Sequence, residues 1–245
     1  MIDIDKQSEA FYKYMMFKVL EDNADKTILK YLLEYGDVLV FGGVIKDYLL
    51  EKKKHRDIDY VVESLPSNVN RVLSDFEART NSFGGLKFKT NTHEYDLWEI
   101  KNTWAIKKHF FSQESNLFEN INYNIDIHDS KETLPSTAFF NLTAIIYSLV
   151  ERKFYYHPDF KKAISKKREL DIVFNINPIP ELCIVKSFEY FTDYQMKIGD
   201  KLKNYIIDKY PNRRKKVMDI QKVHYGKIKY SKKRIEHFYN ELYRG

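Results

Sequence analysis

A mixed α/β (α+β) head with a small mixed sheet, followed by a mostly helical body, is the fold class this sequence predicts. Three observations lead there. Short apolar runs bounded by glycine, charge or polar turns read as strands in the first half of the chain. Apolar residues spaced by three and four mark helices between those runs and dominate from Phe139 onward. No segment of 20 to 50 residues repeats, which leaves a solenoid or propeller without support. The division falls near residue 130, giving a head with N-terminal helices over 1–130 and a helical body with a basic C-terminal tail over 131–245.

Taken in order, Phe11 to Leu20 and Thr27 to Leu33 carry the period of helices with one buried face. Asp37 to Phe41 is a short buried strand, and Gly42-Gly43 interrupts it before Val44 to Glu51 resume helical spacing. After the charged turn KKKHR, Asp57 to Val62 alternates and then becomes apolar, so Asp57 and Asp59 share one face of a strand. Pro66 and Ser67 open a predicted helix reaching about Arg79. Gly84-Gly85 precedes two strands, Leu86 to Lys89 and Tyr95 to Ile100, joined by a polar turn that holds His93; Asp96 lies in the second strand. A join near Pro178 and Pro180 leads to helices expected at 181–196, 201–209, 213–225 and 231–243.

Composition bounds the function classes. The 245 residues include only 8 Gly and 6 Pro beside 19 Tyr and 17 Phe, which excludes collagen-like, low-complexity and wholly disordered chains. One cysteine, Cys183, excludes an intrachain disulfide and a cysteine cage for zinc; its apolar setting makes it a small core residue. The longest apolar stretches are too short to span a bilayer, so no membrane partner is expected and the cytoplasm is the expected location. The net charge of +6 is uneven. Residues 201–245 hold 14 Lys and Arg against 4 Asp and Glu, a balance of +10, whereas the first 200 residues balance at −4.

The residues with chemical content are acidic. Asp57 and Asp59 at a strand spacing of two, with Asp96 on a strand that can pair beside them, offer hard oxygen ligands for Mg²⁺ or Mn²⁺. Phosphoryl transfer uses such a set, because metal ions over a triphosphate neutralise charge and activate an attacking hydroxyl. Gly42-Gly43 supplies a complementary element, since glycines at a strand-to-helix turn permit close backbone approach by phosphate. Lys46, one turn into the helix, can offset phosphate charge, and Asp47 can fix the loop. Trp98 and Trp104 serve either as core anchors or as stacking platforms for a base.

The order strand, glycine pair, helix, basic turn and DxD strand is sharper than any one motif. Residues 41–62, FGGVIKDYLLEKKKHRDIDYVV, resemble the head of the nucleotidyltransferase superfamily that includes DNA polymerase beta, and within it bacterial poly(A) polymerases and CCA-adding enzymes. The family's glycine pair, basic residue and aspartate match Gly42, Gly43, Lys46 and Asp47, with lysine where arginine is usual. The resemblance implies Mg²⁺ on Asp57 and Asp59, Asp96 as third carboxylate, a nucleoside triphosphate as substrate, attack on its α-phosphate and release of pyrophosphate. Arg56, beside the first acid, either approaches the nucleotide together with the glycine turn or only solubilises the KKKHR turn.

Later likeness is weaker. In TAFFNLTAIIYSL, residues 137–149, Asn141 matches the asparagine of a family segment, while Thr137 replaces its acid. In ELCIVKSFEYF, residues 181–191, Lys186 matches the second arginine of the base-reading helix, but Cys183 stands over the first and Ile179 and Pro180 over the acids. The family's order of CTP and then ATP is therefore not implied. The tail, with RRKK at 213–216, KIK at 227–229 and KKR at 232–234, forms a basic amphipathic surface that RNA, DNA or an acidic partner could use. Two readings compete with an RNA-directed enzyme: transfer to a small molecule or protein, as in toxin and defence systems, and a catalytically inactive nucleic-acid-binding module.

Overall fold

A computed structural model describes residues 3–51, 57–81, 84–103, 105–106 and 130–244. His55, Arg56 and Trp104 lie outside the described residues. The chain divides into two compact units: Ile2–Thr137 with Thr143–His157, and Ala138–Leu142 with Pro158–Gly245. No helix among the described residues is long and apolar enough to cross a membrane.

The first unit is built on a seven-stranded sheet. Its strands are β1 (Val38–Phe41), β2 (Asp57–Val62), β3 (Arg79–Thr80), β4 (Leu86–Lys89), β5 (Glu94–Glu99), β6 (Ile145–Ser148) and β7 (Lys153–Tyr156). Their order is β3-β4-β5-β2-β1-β6-β7, with β2 and β5 parallel and the other neighbours antiparallel. Alternation sends Val38, Val40, Ile58, Tyr60, Tyr95 and Leu97 to one face, where all six are buried.

Helices α1 (Ser8–Tyr14), α2 (Asn23–Leu33) and α3 (Gly43–Leu49) belong to the same unit, and α1 runs on into a wider π turn at Met15–Val19. Phe11 of α1 meets the rings of Tyr48, Tyr147 and Phe154 at 4.9 to 5.3 Å. The apolar stripe of α2 buries Ile28, Leu29 and Leu32, each contributing ~1.5–3 kcal/mol. Asp22 caps α2 by accepting from the Ala24 amide at 3.0 Å. The buried Asp25 accepts from Thr92 Oγ1 at 2.6 Å and lies 3.3 Å from His93 Nδ1, which ties α2 to the β4–β5 turn. Burial acts to raise the Asp25 pKa, but hydrogen bonds from His93, Thr92, Thr90 and Tyr95 outweigh it and hold the acid below its ordinary value.

Two sequence expectations change here. The helix predicted from Pro66 to about Arg79 is only Val69–Val72 followed by a tight turn at Ser74–Phe76. Its apolar positions stop after Val69, Leu73 and Phe76, and Glu77 then takes a left-handed φ of 52° that turns the chain into β3. The second change concerns the stretch after Phe139, read as mostly helical. Thr143 to His157 instead returns to the sheet as the β6–β7 hairpin, so the sheet extends past residue 130. Every residue of β6 is buried, and a run buried on both faces carries no periodicity to distinguish strand from helix.

Among its described residues the second unit has a two-stranded parallel pair, β8 (Glu169–Leu170) with β9 (Lys197–Ile198), a short helix at Phe160–Ile164 and four longer helices. These are α4 (Pro180–Asp193), α5 (Asp200–Lys209), α6 (Arg214–Tyr225) and α7 (Lys232–Arg244), within three residues of the expected ends. Proline sits at the start of α4, and Gly226 ends α6 with a φ of 70°. Phe188 of α4 packs edge-on against Tyr230 and Phe238 at 4.9 and 5.3 Å. Cys183 is buried on the same helix, and burial pushes its thiol pKa up, as a core residue requires.

Candidate active site

The parallel pairing of β2 with β5 sets Asp57 opposite Glu94 and Asp59 opposite Asp96. Neighbouring strands lie about 4.8 Å apart, and alternation puts all four acids on one face, opposite the buried Tyr60 and Tyr95. All four are half-buried. Farther along the same face the side chains become apolar: Leu39, Val61, Ile100, Leu134 and Ile146 form a cluster against which Trp98 and Phe41 pack. Trp98 is therefore a core anchor, and the acids occupy the polar end of a face whose other end is sealed.

The glycine turn adjoins this end. Gly42 has a φ of 21°, and its N–H donates to the Ile145 carbonyl at 2.9 Å. A Cβ there would stand 2.6 Å from the Thr143 carbonyl oxygen, so only glycine lets α3 start this close to the segment leading into β6. Gly43 differs: a Cβ would stand 3.8 Å from Asp59 Oδ2, an ordinary contact. The Asp59 carboxylate thus faces the open side of the turn. Gly42 secures the fold, and Gly43 borders the site.

The third acid is held from two sides. Asn81 Nδ2 donates to Asp96 Oδ1 at 3.2 Å, and Lys87 Nζ lies 3.6 Å from Asp96 Oδ2 and 3.3 Å from Glu94 Oε2. Sequence reasoning missed Asn81, Lys87 and Glu94. For Lys87 a signal existed, since closing the β4–β5 hairpin at Thr90–His93 puts it directly across from Asp96. Asn81 carried none.

Lys46 and Asp47 are buried and ion-paired with each other, so they are not the solvent-facing helix pair that a plain amphipathic reading gives. Burial first, and then the nearby Asp47 charge, raise the Tyr14 phenol pKa. The two remaining predicted residues belong to the second unit. Asn141 is fully buried; its side-chain nitrogen donates to the carbonyls of Glu169 at 2.9 Å and Asp159 at 3.3 Å, and its oxygen accepts from the Asp171 amide at 3.0 Å. It ties two backbone segments, at Asp159 and at Glu169–Asp171, to its own. Lys186 Nζ is 2.8 Å from Glu189 Oε2 and 5.4 Å from the Tyr225 ring centre.

The donor chemistry of Asp57 and Asp59 fits a hard divalent cation: two carboxylates on one face, one of them directed at the glycine turn. Among the described residues, no three His, Cys, Asp or Glu side chains converge as a ready ion-holding group. Asp96 instead keeps its Asn81 and Lys87 partners.

No family model matches the sequence, and no curated protein matches it. Solved structures do. The Thermotoga maritima CCA-adding enzyme complexed with tRNA aligns at a TM-score of 0.56 and 14% identity, over 91% of this chain and 52% of that one. A CCA-adding enzyme with CTP aligns at 0.62 and 12%, over 98% and 56%. A tRNA nucleotidyltransferase with a primer tRNA and an incoming ATP analogue aligns at 0.57 and 15%, over 87% and 59%. The chain thus shares the fold of these enzymes over the aligned residues and spans somewhat more than half of their length.

Proposed function

We propose that the chain is a nucleotidyltransferase that moves a nucleoside monophosphate from a nucleoside triphosphate to an acceptor hydroxyl. The observation that carries this is the parallel register of Asp59 with Asp96, with Asp57 on the same face and the Gly42-Gly43 turn beside them. The fold shared with CCA-adding enzymes supports the same reading.

In this reading the triphosphate lies against the glycine turn, at the start of the helix that holds the buried Lys46–Asp47 pair. The acceptor oxygen forms a bond to the α-phosphorus as the bond to the bridging oxygen breaks, and pyrophosphate leaves. Asp96 orients the acceptor hydroxyl and receives its proton. Asp57 and Asp59 would hold Mg²⁺ or Mn²⁺, which when bound neutralises phosphate charge and makes the hydroxyl more acidic.

RNA is the favoured acceptor. Arg214, Lys215, Lys216, Lys222, Lys227, Lys233 and Arg234 are exposed on the C-terminal helices and the turn between them. Binding through about six phosphates would weaken roughly 10³-fold between 50 and 200 mM salt. The test is to incubate the protein with each labelled triphosphate, Mg²⁺ and pooled RNA. Metal-dependent labelling of RNA that is lost in the Asp57→Ala, Asp59→Ala double variant is expected. Equal labelling by parent and double variant would overturn the mechanism, and labelling without nucleic acid would redirect the acceptor to a small molecule or protein.

A further inference from the structure

We infer that Asn81 and Lys87 are positioning residues for the Asp96 carboxylate, and that Lys87 is a resident counter-charge that sets how tightly the carboxylate face takes a divalent cation. The inference rests on the nucleotidyltransferase reading and assigns work within it to residues outside every recognised motif.

The two oxygens of Asp96 are held by different kinds of partner. Oδ1 accepts from Asn81, a neutral donor that is itself hydrogen-bonded to Gly84 and Gly85. The Asn81 amide donates to the Gly85 carbonyl at 2.7 Å, Gly84 N–H returns to the Asn81 carbonyl at 3.1 Å, and Gly85 N–H donates to Asn81 Oδ1 at 3.0 Å. Gly85 lies flush on Trp98, where a Cβ would approach the ring to 2.7 Å, and Trp98 is itself anchored in the core cluster. The amide that orients Asp96 is therefore registered to the sheet through an aromatic plate. Oδ2 has the opposite kind of partner. Lys87 is a point charge on a flexible stem, about a quarter exposed, that reaches both Asp96 and Glu94.

Four acids in two adjacent rungs repel one another, and a mobile cation between two of them relieves that repulsion. The same cation opposes any divalent ion that approaches the face. Lys87 thus stabilises the metal-free site while weakening metal affinity, and Oδ2 is the oxygen whose partner can be exchanged. Asn81, being neutral, fixes direction without altering charge.

The experiment measures Mn²⁺ binding by electron paramagnetic resonance and calorimetry, together with steady-state kinetics and Tm. It compares the parent, Lys87→Met, Lys87→Gln, Lys87→Arg, Asn81→Ala and the Asp57→Asn, Asp59→Asn double variant. Removing a unit charge about 6 Å from a divalent ion should tighten Mn²⁺ binding roughly tenfold in both neutral Lys87 variants, and Lys87→Arg should stay near the parent. Asn81→Ala should keep the parent affinity and lose roughly tenfold in kcat with KM for the triphosphate unchanged. Unchanged or weaker Mn²⁺ affinity in folded Lys87→Met and Lys87→Gln would overturn the counter-charge, and unchanged kcat in Asn81→Ala would overturn the positioning role. Parent and double variant binding Mn²⁺ equally would instead overturn the nucleotidyltransferase reading, and this inference with it.

Discussion

Two acidic clusters in this chain are balanced in opposite ways. On the β2–β5 face, Asp57, Asp59, Glu94 and Asp96 lie together half-buried, with Lys87 reaching the last two. On α4 of the second unit, the buried Glu189 faces Lys186 and Lys229, each at 2.8 Å, and accepts from the Tyr225 hydroxyl at 2.9 Å. Burial alone pushes the Glu189 pKa up; the two ammonium groups outweigh it and pull the value down to about 2. Where a chain supplies matching cations for a buried acid, the acid holds structure. Where it gathers four acids on one half-open face, their mutual repulsion favours a cation from outside.

The largest expected effect tests the acid-rich side of this comparison. Asp57→Asn and Asp59→Asn should each lower kcat by 10³-fold or more, about 4 kcal/mol of transition-state stabilisation. Tm in metal-free buffer should stay level or rise, because each change removes like-charge repulsion. Parallel loss of activity and Tm would make this cluster structural, like that of Glu189.

A sharper contrast lies between adjacent glycines. Gly42→Ala forces a Cβ to within 2.6 Å of a backbone carbonyl at a positive φ, so it should destabilise the fold by ~3 kcal/mol or more. Gly43→Ala meets only Asp59 Oδ2 at 3.8 Å and should change Tm little while raising KM for the triphosphate. Denaturant titration of both variants decides it. Equal destabilisation would mean that both glycines serve only the fold.

Much of this architecture was legible because its signals are local. Strand β1, the glycine turn and the Asp57–Val62 alternation are contiguous, and the four late helices announce themselves by spacing, proline and glycine. Strands β6 and β3 were not legible. The first is buried on both faces and carries no period, and the second is two residues long with its identity fixed by pairing with β4. The acids of the candidate site could be read from a DxD and a later strand, yet their parallel register and the approach of Lys87 are products of sheet order. Asn141 was matched to a motif by spacing, yet its hydrogen bonds to the Glu169 carbonyl and the Asp171 amide could not be read there, because sequence spacing does not reveal what a buried amide touches.

The smallest expected effect tests the balanced cluster by pH. Glu189 has a lower pKa in the folded chain, about 2, than the ordinary glutamate value of 4.5, so the unfolded chain binds a proton first as pH falls. Its contribution, ~2–3 kcal/mol by linkage, is therefore fully present above about pH 4.5 and is lost as pH drops from there through about 2. Glu189→Gln removes the charge and leaves two ammonium groups that are a quarter to a third exposed and can hydrate, so the loss at neutral pH should be ~2 kcal/mol. Urea unfolding from pH 7 to pH 2.5 should show the parent falling toward the variant across the acid range, while the variant's own stability varies less. Curves that stay parallel throughout would mean that the paired lysines give Glu189 no special stabilisation and that the two clusters differ in burial alone.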